Sequence, residues 1–116
     1  MASGRWSAVP HAQLSIDVRP DRERVILVPH GDLDHFTAPQ LRAAVAEVIT
    51  AGWREVVLDL RNLEFMDSGG IHLLEELRDG ALGDANYRMV DGVGPVALPL
   101  RLIGAPALLP AAEVAG

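Results

Sequence analysis

Cysteine and lysine are both absent from this 116-residue chain, and each absence excludes a class of function. Without cysteine, the chain has no disulfide, no thiolate nucleophile and no cysteine ligand for a metal. Without lysine it is not a P-loop NTPase, because that motif places a lysine on the nucleotide phosphates. The net charge of −6 argues against a protein that binds the phosphate backbone of a nucleic acid.

Long apolar runs are missing as well. No run approaches the ~20 residues that cross a bilayer, and residues 1–12 lack the apolar segment of a signal peptide. We therefore expect a cytoplasmic protein with no membrane partner. The length favours one domain, which we place at residues 13–110, between a flexible leader at 1–12 and a frayed C-terminus at 111–116.

The pattern that is present indicates an α/β fold. Residues 14–18 alternate apolar and polar side chains, whereas residues 25–28 and 56–60 are almost continuously apolar. A helical stripe lies between the two apolar runs, so strand, helix and strand form a βαβ unit with parallel strands. Residues 87–90 predict a third parallel strand. We predict one mixed sheet, parallel at its centre with an antiparallel N-terminal strand, and helices packed mainly on one face.

Local signals mark the ends of these elements. A Pro-Asp pair predicts a turn at residues 19–23. Thr37 and Gln40 have the spacing of a capping box at the start of the first helix. A second helix is expected to begin near Gly70, and a last one at Pro95.

Polar residues gather in two loops, at residues 30–37 and 62–70, that follow the parallel strands. The carboxyl ends of parallel strands meet at one edge of a sheet, where binding sites usually lie. We therefore expect Asp32 or Asp34 to lie near Asp67 and the serine that follows it.

Ser68 is the residue at this edge whose chemistry matters most. Gly69 and Gly70 follow it and leave its hydroxyl unshielded by neighbouring side chains. Glycine is less favourable than alanine in a helix by roughly 1 kcal/mol, so the two glycines lower the stability of the helix that they begin. The simpler alternative is that Asp67 or Ser68 only caps the helix, as such residues commonly do.

The sequence around Ser68 argues against a role as a catalytic nucleophile. Trypsin-like and α/β-hydrolase motifs both require glycine at a position that Met66 occupies here. Nothing obvious in the sequence orients His30 or His35 toward the serine.

Other enzymatic interpretations of this region also fail. The Asp32–Asp34 pair is similar to a haloacid-dehalogenase nucleophile motif, but that family needs a lysine. His30 with the two aspartates could ligate a metal, yet this spacing is more often a polar loop beside a helix cap. A receiver domain with its acceptor near Asp59 would need an acidic pair after the first strand and a late lysine, and neither is present.

Taken together, the motifs resemble those of the STAS domain family (sulfate transporter and anti-sigma factor antagonist). "HGDLDHFTAPQL" is similar to that family's Gly-Glu-Leu-Asp loop and first helix. "VVLDLRNLEFMDSGGIHLL" is similar to its strand followed by Phe-Met-Asp-Ser-Ser-Gly-Leu. The similarity covers about residues 14–110, and Gly69 replaces the family's second serine.

The resemblance implies a soluble anti-sigma factor antagonist, a regulator of transcription and not an enzyme. Such proteins bind an anti-sigma factor that is itself a serine kinase and release the sigma factor, and a phosphatase resets the cycle. By position in the motif, Ser68 is the phosphorylated residue, flanked by the carboxylates of Asp34 and Asp67. The expected partner-binding surface consists of Asp32, Asp34, His35, Asp67, Ser68, Gly69 and Gly70.

No catalytic residue, metal or cofactor is expected, and no nucleic acid partner; the chain should be a monomer or a weak dimer. Two alternatives remain open. In the first, the chain is a STAS subunit of another assembly, such as a lipid-transport ATPase complex, and has no phosphorylation cycle. In the second, it is a small enzyme or ligand-binding module that uses the edge at Asp34 and Asp67.

Overall fold

A computed structural model describes residues 14–94, 96–97 and 106–114. The predicted leader at residues 1–12 and most of the predicted last helix lie outside these ranges. In chain order the elements are β1 (Leu14–Asp21), β2 (Arg24–Leu33), α1 (Ala38–Thr50), β3 (Glu55–Asp59), β4 (Leu63–Met66), α2 (Ser68–Arg78), β5 (Asn86–Val90), β6 (Ala107–Leu108) and a short 3-10 turn (Ala111–Glu113).

The strands form one mixed sheet in the order β1-β2-β3-β5-β6, and β4 pairs with β2 away from this path. β1 is antiparallel to β2, and the other pairings of the described strands are parallel. This confirms the predicted α/β fold with a parallel centre and an antiparallel N-terminal strand. The strand predicted at residues 87–90 forms most of β5.

Strand β4 was not predicted, and it positions the functional edge. β2 is long enough to have two parallel partners, because residues 25–27 pair with β3 and residues 31–33 pair with β4. The expected loops at residues 30–37 and 62–70 are therefore partly strand. In β4 the two end residues are buried and the two middle residues are exposed. It therefore lacks the alternation of buried and exposed side chains by which a strand is recognised in a sequence.

The turn between β1 and β2 begins later than the Pro-Asp pair suggested. β1 continues through Pro20 to Asp21, and Arg22 and Glu23 form the turn. Proline is tolerated there because β1 lies at the edge of the sheet, where some N–H groups have no strand partner. The Arg24 guanidinium stabilises the hairpin by donating two hydrogen bonds to Asp21 Oδ2, at 2.9 and 3.0 Å.

Both helices pack on the same face of the sheet, as predicted. α2 begins at Ser68, two residues before the expected start near Gly70. Full burial of one leucine contributes about 1.5–3 kcal/mol, so this layer is a large part of the stabilising free energy. The side chains that are completely buried in it include Val25, Leu27, Leu33, Leu41, Val45, Leu58, Leu73 and Leu74.

The opposite face of the sheet is covered by the C-terminal segment. Leu109 and Val114 pack with apolar side chains of β2, β3 and β5 in a second, smaller core. We expected residues 111–116 to be frayed, and this is wrong for residues 111–114, since Val114 is only 2% exposed. The physical reason is that strands apolar on both faces require cover on both faces.

A buried ion pair connects this segment to the sheet. Asp59 is 1% exposed, and its carboxylate accepts hydrogen bonds from Arg61 Nη2 at 2.7 Å and Nε at 2.9 Å. The same Nη2 donates to the carbonyl oxygen of Val114 at 3.1 Å. Burial raises the pKa of the Asp59 carboxyl, but the hydrogen bonds and charge of Arg61 outweigh burial and leave that pKa below its ordinary value.

Replacing Arg61 with methionine should therefore destabilise the fold in a pH-dependent way. Removing one partner of a buried pair leaves an uncompensated charge, and we expect a loss of roughly 3 kcal/mol at pH 7. In the native protein, the lowered pKa makes the pair stabilising above the ordinary value near 3.9, and acidification removes this contribution. In Arg61→Met, burial still raises the pKa of Asp59, and only the backbone N–H of residue 61 and the charge of Arg19 oppose it, so acid neutralises a poorly compensated charge.

Urea denaturation of both proteins at pH 7 and near pH 4 measures this effect. The stability difference should be largest at pH 7 and shrink on acidification. The control is Arg61→Met combined with Asp59→Asn, which has no buried charge and should differ from wild type by a similar amount at both pH values. Equal stability of Arg61→Met and wild type at pH 7 would contradict the role assigned to the pair.

Candidate functional site

Two short segments lie side by side where β2 and β4 end. Leu33 and Met66 are paired residues of the two strands, and the Asp67 N–H continues the ladder by donating to the Leu33 carbonyl at 3.2 Å. The segments that follow are residues 34–37, here named the 34–37 loop, and residues 67–70, named the 67–70 turn. Strand pairing thus fixes both segments at one edge of the sheet.

The 34–37 loop is closed by reciprocal hydrogen bonds. Asp34 Oδ1 accepts from the backbone N–H groups of Phe36 and Thr37, each at 2.9 Å. The Thr37 hydroxyl accepts from the Asp34 N–H at 2.9 Å and donates to the Asp32 carbonyl at 2.8 Å. The Asp34 carboxylate therefore shapes the loop that leads into α1.

The predicted capping box between Thr37 and Gln40 is wrong. Thr37 precedes α1 but makes no side-chain cap to it, because its hydroxyl is used by the 34–37 loop. Gln40 Nε2 instead donates to the carbonyl oxygen of Leu14 at 2.8 Å, which holds β1 against the start of the helix. Both residues were correctly placed at the helix start, but their partners are different.

In the 67–70 turn, Asp67 is the helix cap and Ser68 is not. The Asp67 carboxylate accepts a hydrogen bond from the Gly69 N–H at 2.8 Å. Ser68 is the first residue of α2, is exposed to solvent, and has no hydrogen bond from its hydroxyl to the described part of the chain. The Asp67 carboxylate therefore caps the helix through the Gly69 N–H, and the Ser68 hydroxyl remains accessible.

The two glycines allow close packing at this edge. A Cβ atom at Gly70 would lie 2.8 Å from Met66 Cγ and 2.9 Å from the Leu33 carbonyl oxygen. A Cβ atom at Gly69 would lie 2.4 Å from His35 Cα. Ordinary contacts of this kind are 3.4–4 Å. Gly70 thus lets α2 pack onto the strand ends, and Gly69 lets the 34–37 loop pack onto α2.

Asp32 is separated from the other carboxylates. It pairs with Phe65, whereas the next residue, Leu33, is buried beneath the helices. Since successive side chains of a strand point to opposite faces, Asp32 and Phe65 lie on the face away from the helices. Asp32 reaches the 34–37 loop through its carbonyl oxygen.

Two exposed aromatic residues at this end of the sheet were not identified from the sequence. Phe36 is 69% exposed, and its ring lies against His35 with ring centroids 4.2 Å apart. Phe65 is 48% exposed at the same end of the sheet. Large exposed apolar side chains around a polar group are typical of protein–protein interfaces. In the sequence alone, each phenylalanine reads equally well as a core residue.

The STAS domain model matches residues 14–98, which is most of the chain. The chain belongs to the STAS domain family. The edge described above is therefore the part of a STAS domain that contains the Asp-Ser-Gly-Gly motif.

Relatives of this STAS domain include anti-sigma factor antagonists. An anti-sigma F factor antagonist of Paenibacillus polymyxa is 37% identical over 62 residues, which are 53% of each chain. The chain thus spans about half the length of the curated relatives it matches.

Solved structures show the same fold. An anti-sigma factor antagonist of Mycobacterium paratuberculosis matches with a TM-score of 0.67 and 25% identity over 79% of each chain. SpoIIAA in its unphosphorylated form matches with a TM-score of 0.60 and 25% identity, over 85% of this chain and 91% of that chain. The Bacillus cell fate determinant SpoIIAA in its phosphorylated form matches with a TM-score of 0.56 over 85% of this chain and 95% of that chain; at 23% identity this shows the fold alone.

The described part of this STAS domain contains no group of three or more His, Asp or Glu side chains placed to hold a metal ion. His30, one of the candidate ligands, instead contacts Asp17 Oδ2 across the β1–β2 pair at 3.0 Å. Two surface cavities of about 410 and 790 Å³ are lined by other residues than Asp34, Asp67 and Ser68. None of the described helices has the length and apolar character needed to cross a membrane.

Replacing Asp34 should test whether its carboxylate maintains the loop. Asp34→Ala removes the acceptor of two backbone N–H groups. Loss of a comparable acceptor at a helix N-cap typically lowers the unfolding free energy by about 1 kcal/mol, and we expect a similar loss here. In a domain of this size that corresponds to a fall in Tm of about 5 °C. Asp34→Asn keeps an oxygen that can accept both bonds, so it should melt within a degree or two of wild type.

Thermal melts of the three proteins, followed by circular dichroism, distinguish the two variants. If Asp34→Asn melts as low as Asp34→Ala, the negative charge and not the hydrogen-bond geometry stabilises the loop.

Proposed function

We propose that this STAS domain is an anti-sigma factor antagonist that is switched off by phosphorylation of Ser68. In the unmodified state it binds an anti-sigma factor of the serine-kinase type and releases the sigma factor. Two findings support this function: the antagonists among its relatives, and the similarity to two solved anti-sigma factor antagonists at 25% identity, one of them SpoIIAA in its unphosphorylated form. The proposal places the protein in the cytoplasm, where sigma factors act.

The observation that carries the proposal is the accessible hydroxyl of Ser68. A kinase must bring this oxygen to the γ-phosphate of ATP, so a hydroxyl held in a helix cap would first have to be released. Here Asp67 provides the cap, and Ser68 stands exposed at the first position of α2. The serine can therefore enter another protein's active site while the fold stays intact.

The proposed reaction takes place in the partner. The Ser68 oxygen forms a bond to the γ-phosphorus of ATP, the bond from that phosphorus to the bridging oxygen breaks, and ADP leaves. The hydroxyl proton passes to a base of the kinase. A serine phosphatase reverses the modification with water and releases inorganic phosphate. In this scheme the STAS domain is a substrate and has no catalytic residue.

Charge explains why a single phosphate is enough for a switch. Phosphoserine has a charge of roughly −1.5 to −2 at neutral pH. The N-terminus of α2 stabilises that charge by about 0.3–1 kcal/mol, but Asp67 already occupies the N–H of Gly69. A partner that fits a neutral hydroxyl would lose hydrogen bonds and gain repulsion. A loss of about 3 kcal/mol would weaken binding on the order of a hundredfold.

The surrounding residues are proposed to form the partner-binding surface. This surface consists of Asp32, Asp34, His35, Asp67 and Gly69 together with Ser68. Gly70, which we expected in it, is buried against the strand ends and supports the surface from beneath. The structure adds two exposed rings, of Phe36 and Phe65, to the same end of the sheet. No observation favours the alternative of a transport-complex subunit, since the relative and the structures described above are named as antagonists or as SpoIIAA.

Variants of Ser68 should separate binding from switching. Ser68→Ala removes an exposed hydroxyl, and we expect its unfolding free energy to stay within about 0.5 kcal/mol of wild type. It should bind the anti-sigma factor kinase without ATP as wild type does, and should keep binding when ATP is added. Ser68→Asp adds one charge and fewer oxygens than a phosphate, so it should weaken binding only in part.

The measurement is calorimetric titration with candidate anti-sigma factor kinases of the same genome, with and without ATP, together with intact mass. Thr50→Ala is the matched control, because it removes an exposed hydroxyl at the far end of α1. It should respond to ATP as wild type does. If wild type and Ser68→Ala lose binding equally on addition of ATP, the switch does not act through Ser68.

A further inference from the structure

Because residue 69 is glycine and has no side chain, the 34–37 loop can contact the start of α2. A Cβ atom at Gly69 would lie 2.4 Å from His35 Cα, 2.5 Å from its N atom and 2.6 Å from its Cβ atom. Two of these three atoms are backbone atoms, so no rotamer of His35 relieves the overlap. Any residue other than glycine at position 69 must therefore displace the loop or the helix.

Neither segment can yield by a small local change. The 34–37 loop is closed by the bonds from Phe36 and Thr37 to the Asp34 carboxylate, and Thr37 is buried. On the other side, the Asp67 N–H is bonded to the Leu33 carbonyl. A side chain at position 69 would therefore move the loop as a unit.

Backbone conformation does not explain the glycine. Gly69 lies in the first turn of α2 and is not among the glycines with positive φ. Alanine is more favourable than glycine in a helix. The requirement at this position is space, and the group that fills the space is the His35 backbone.

The position of the loop decides what surrounds Ser68. His35 and Phe36 are exposed, with their rings in contact, and Gly69, which the loop touches, is the residue next to Ser68. A protein that engages the Ser68 hydroxyl must cover the surface around it, and that surface includes this ring pair. Aromatic residues at the centre of an interface often contribute most of its binding energy.

We propose that Gly69 is a specificity-determining residue, which sets the position of the His35–Phe36 pair beside Ser68 and thereby the kinase that recognises it. This inference rests on the proposed function, because it concerns the partner of the same serine. An antagonist with a side chain at this position has to hold its loop farther from the helix. It therefore presents a different surface, and its kinase would recognise this chain poorly.

The test uses Gly69→Ala and Gly69→Ser in the full chain. Both add a Cβ atom, so both should shift the amide NMR signals of residues 34–37 and speed hydrogen exchange at Phe36 and Thr37. Affinity for the anti-sigma factor kinase that modifies wild type should fall by about tenfold or more in both variants, as expected for a displaced interface anchor. The circular dichroism spectra should remain those of the folded domain.

Two further variants serve as controls. His35→Ala keeps the loop backbone, so the Phe36 and Thr37 amides should stay protected while affinity falls through loss of the imidazole. His35→Gly combined with Gly69→Ala should not restore the loop, because the overlap with the backbone atoms of residue 35 remains. If Gly69→Ala unfolds the chain, the affinities of His35→Ala and Phe36→Ala for the kinase are measured instead. They show whether the partner contacts the His35–Phe36 pair. Unchanged affinity in both variants overturns the proposal.

The outcomes separate this inference from the proposed function. Unshifted loop amides in Gly69→Ala would overturn the contact, and shifted amides with unchanged affinity would overturn the role in specificity. If no kinase modifies wild type, the proposed function and the specificity role fail together. The amide measurement needs no partner and still decides whether Gly69 sets the position of the loop.

Discussion

Parallel pairing between the ends of β2 and β4 is the constraint on which the functional edge depends. It places Leu33 beside Met66, and the two segments that follow these residues then start from the same place. The glycines complete the arrangement, since Gly70 lets the helix approach the strand ends and Gly69 lets the loop approach the helix. Without the strand pairing, the loop and the helix would have no fixed relation to one another.

Among the described residues, hydrogen bonding at this edge leaves the Ser68 hydroxyl uncommitted. The Asp34 carboxylate closes the loop and the Asp67 carboxylate caps α2, so each stabilises its own segment. Ser68 is left exposed between them. A group that does not stabilise the fold can be modified at little cost to it, which is what a reversible switch requires.

The larger elements were predictable because their burial leaves a repeating pattern. Strands β2 and β3 are apolar on both faces, and α1 has a stripe of buried residues on one side. Short segments without such a pattern were not predictable. β4 is a strand because β2 extends far enough to pair with it. Residues 111–114 pack on the sheet because its second apolar face has to be covered and Arg61 binds the Val114 carbonyl.

By itself the sequence determined the fold class, the edge at which the polar residues collect and the serine that stands out there, since these follow from local periodicity and a contiguous motif. Only the tertiary structure decided the roles of the individual groups. It showed that Asp67 and not Ser68 caps α2, that Thr37 bonds back to the loop, and that Gly69 makes room for His35. The two hydrogen bonds depend on the local backbone conformation of each segment, and the Gly69–His35 contact depends on a distance between residues far apart in the chain. Packing sets both to a fraction of an ångström, and sequence spacing does not.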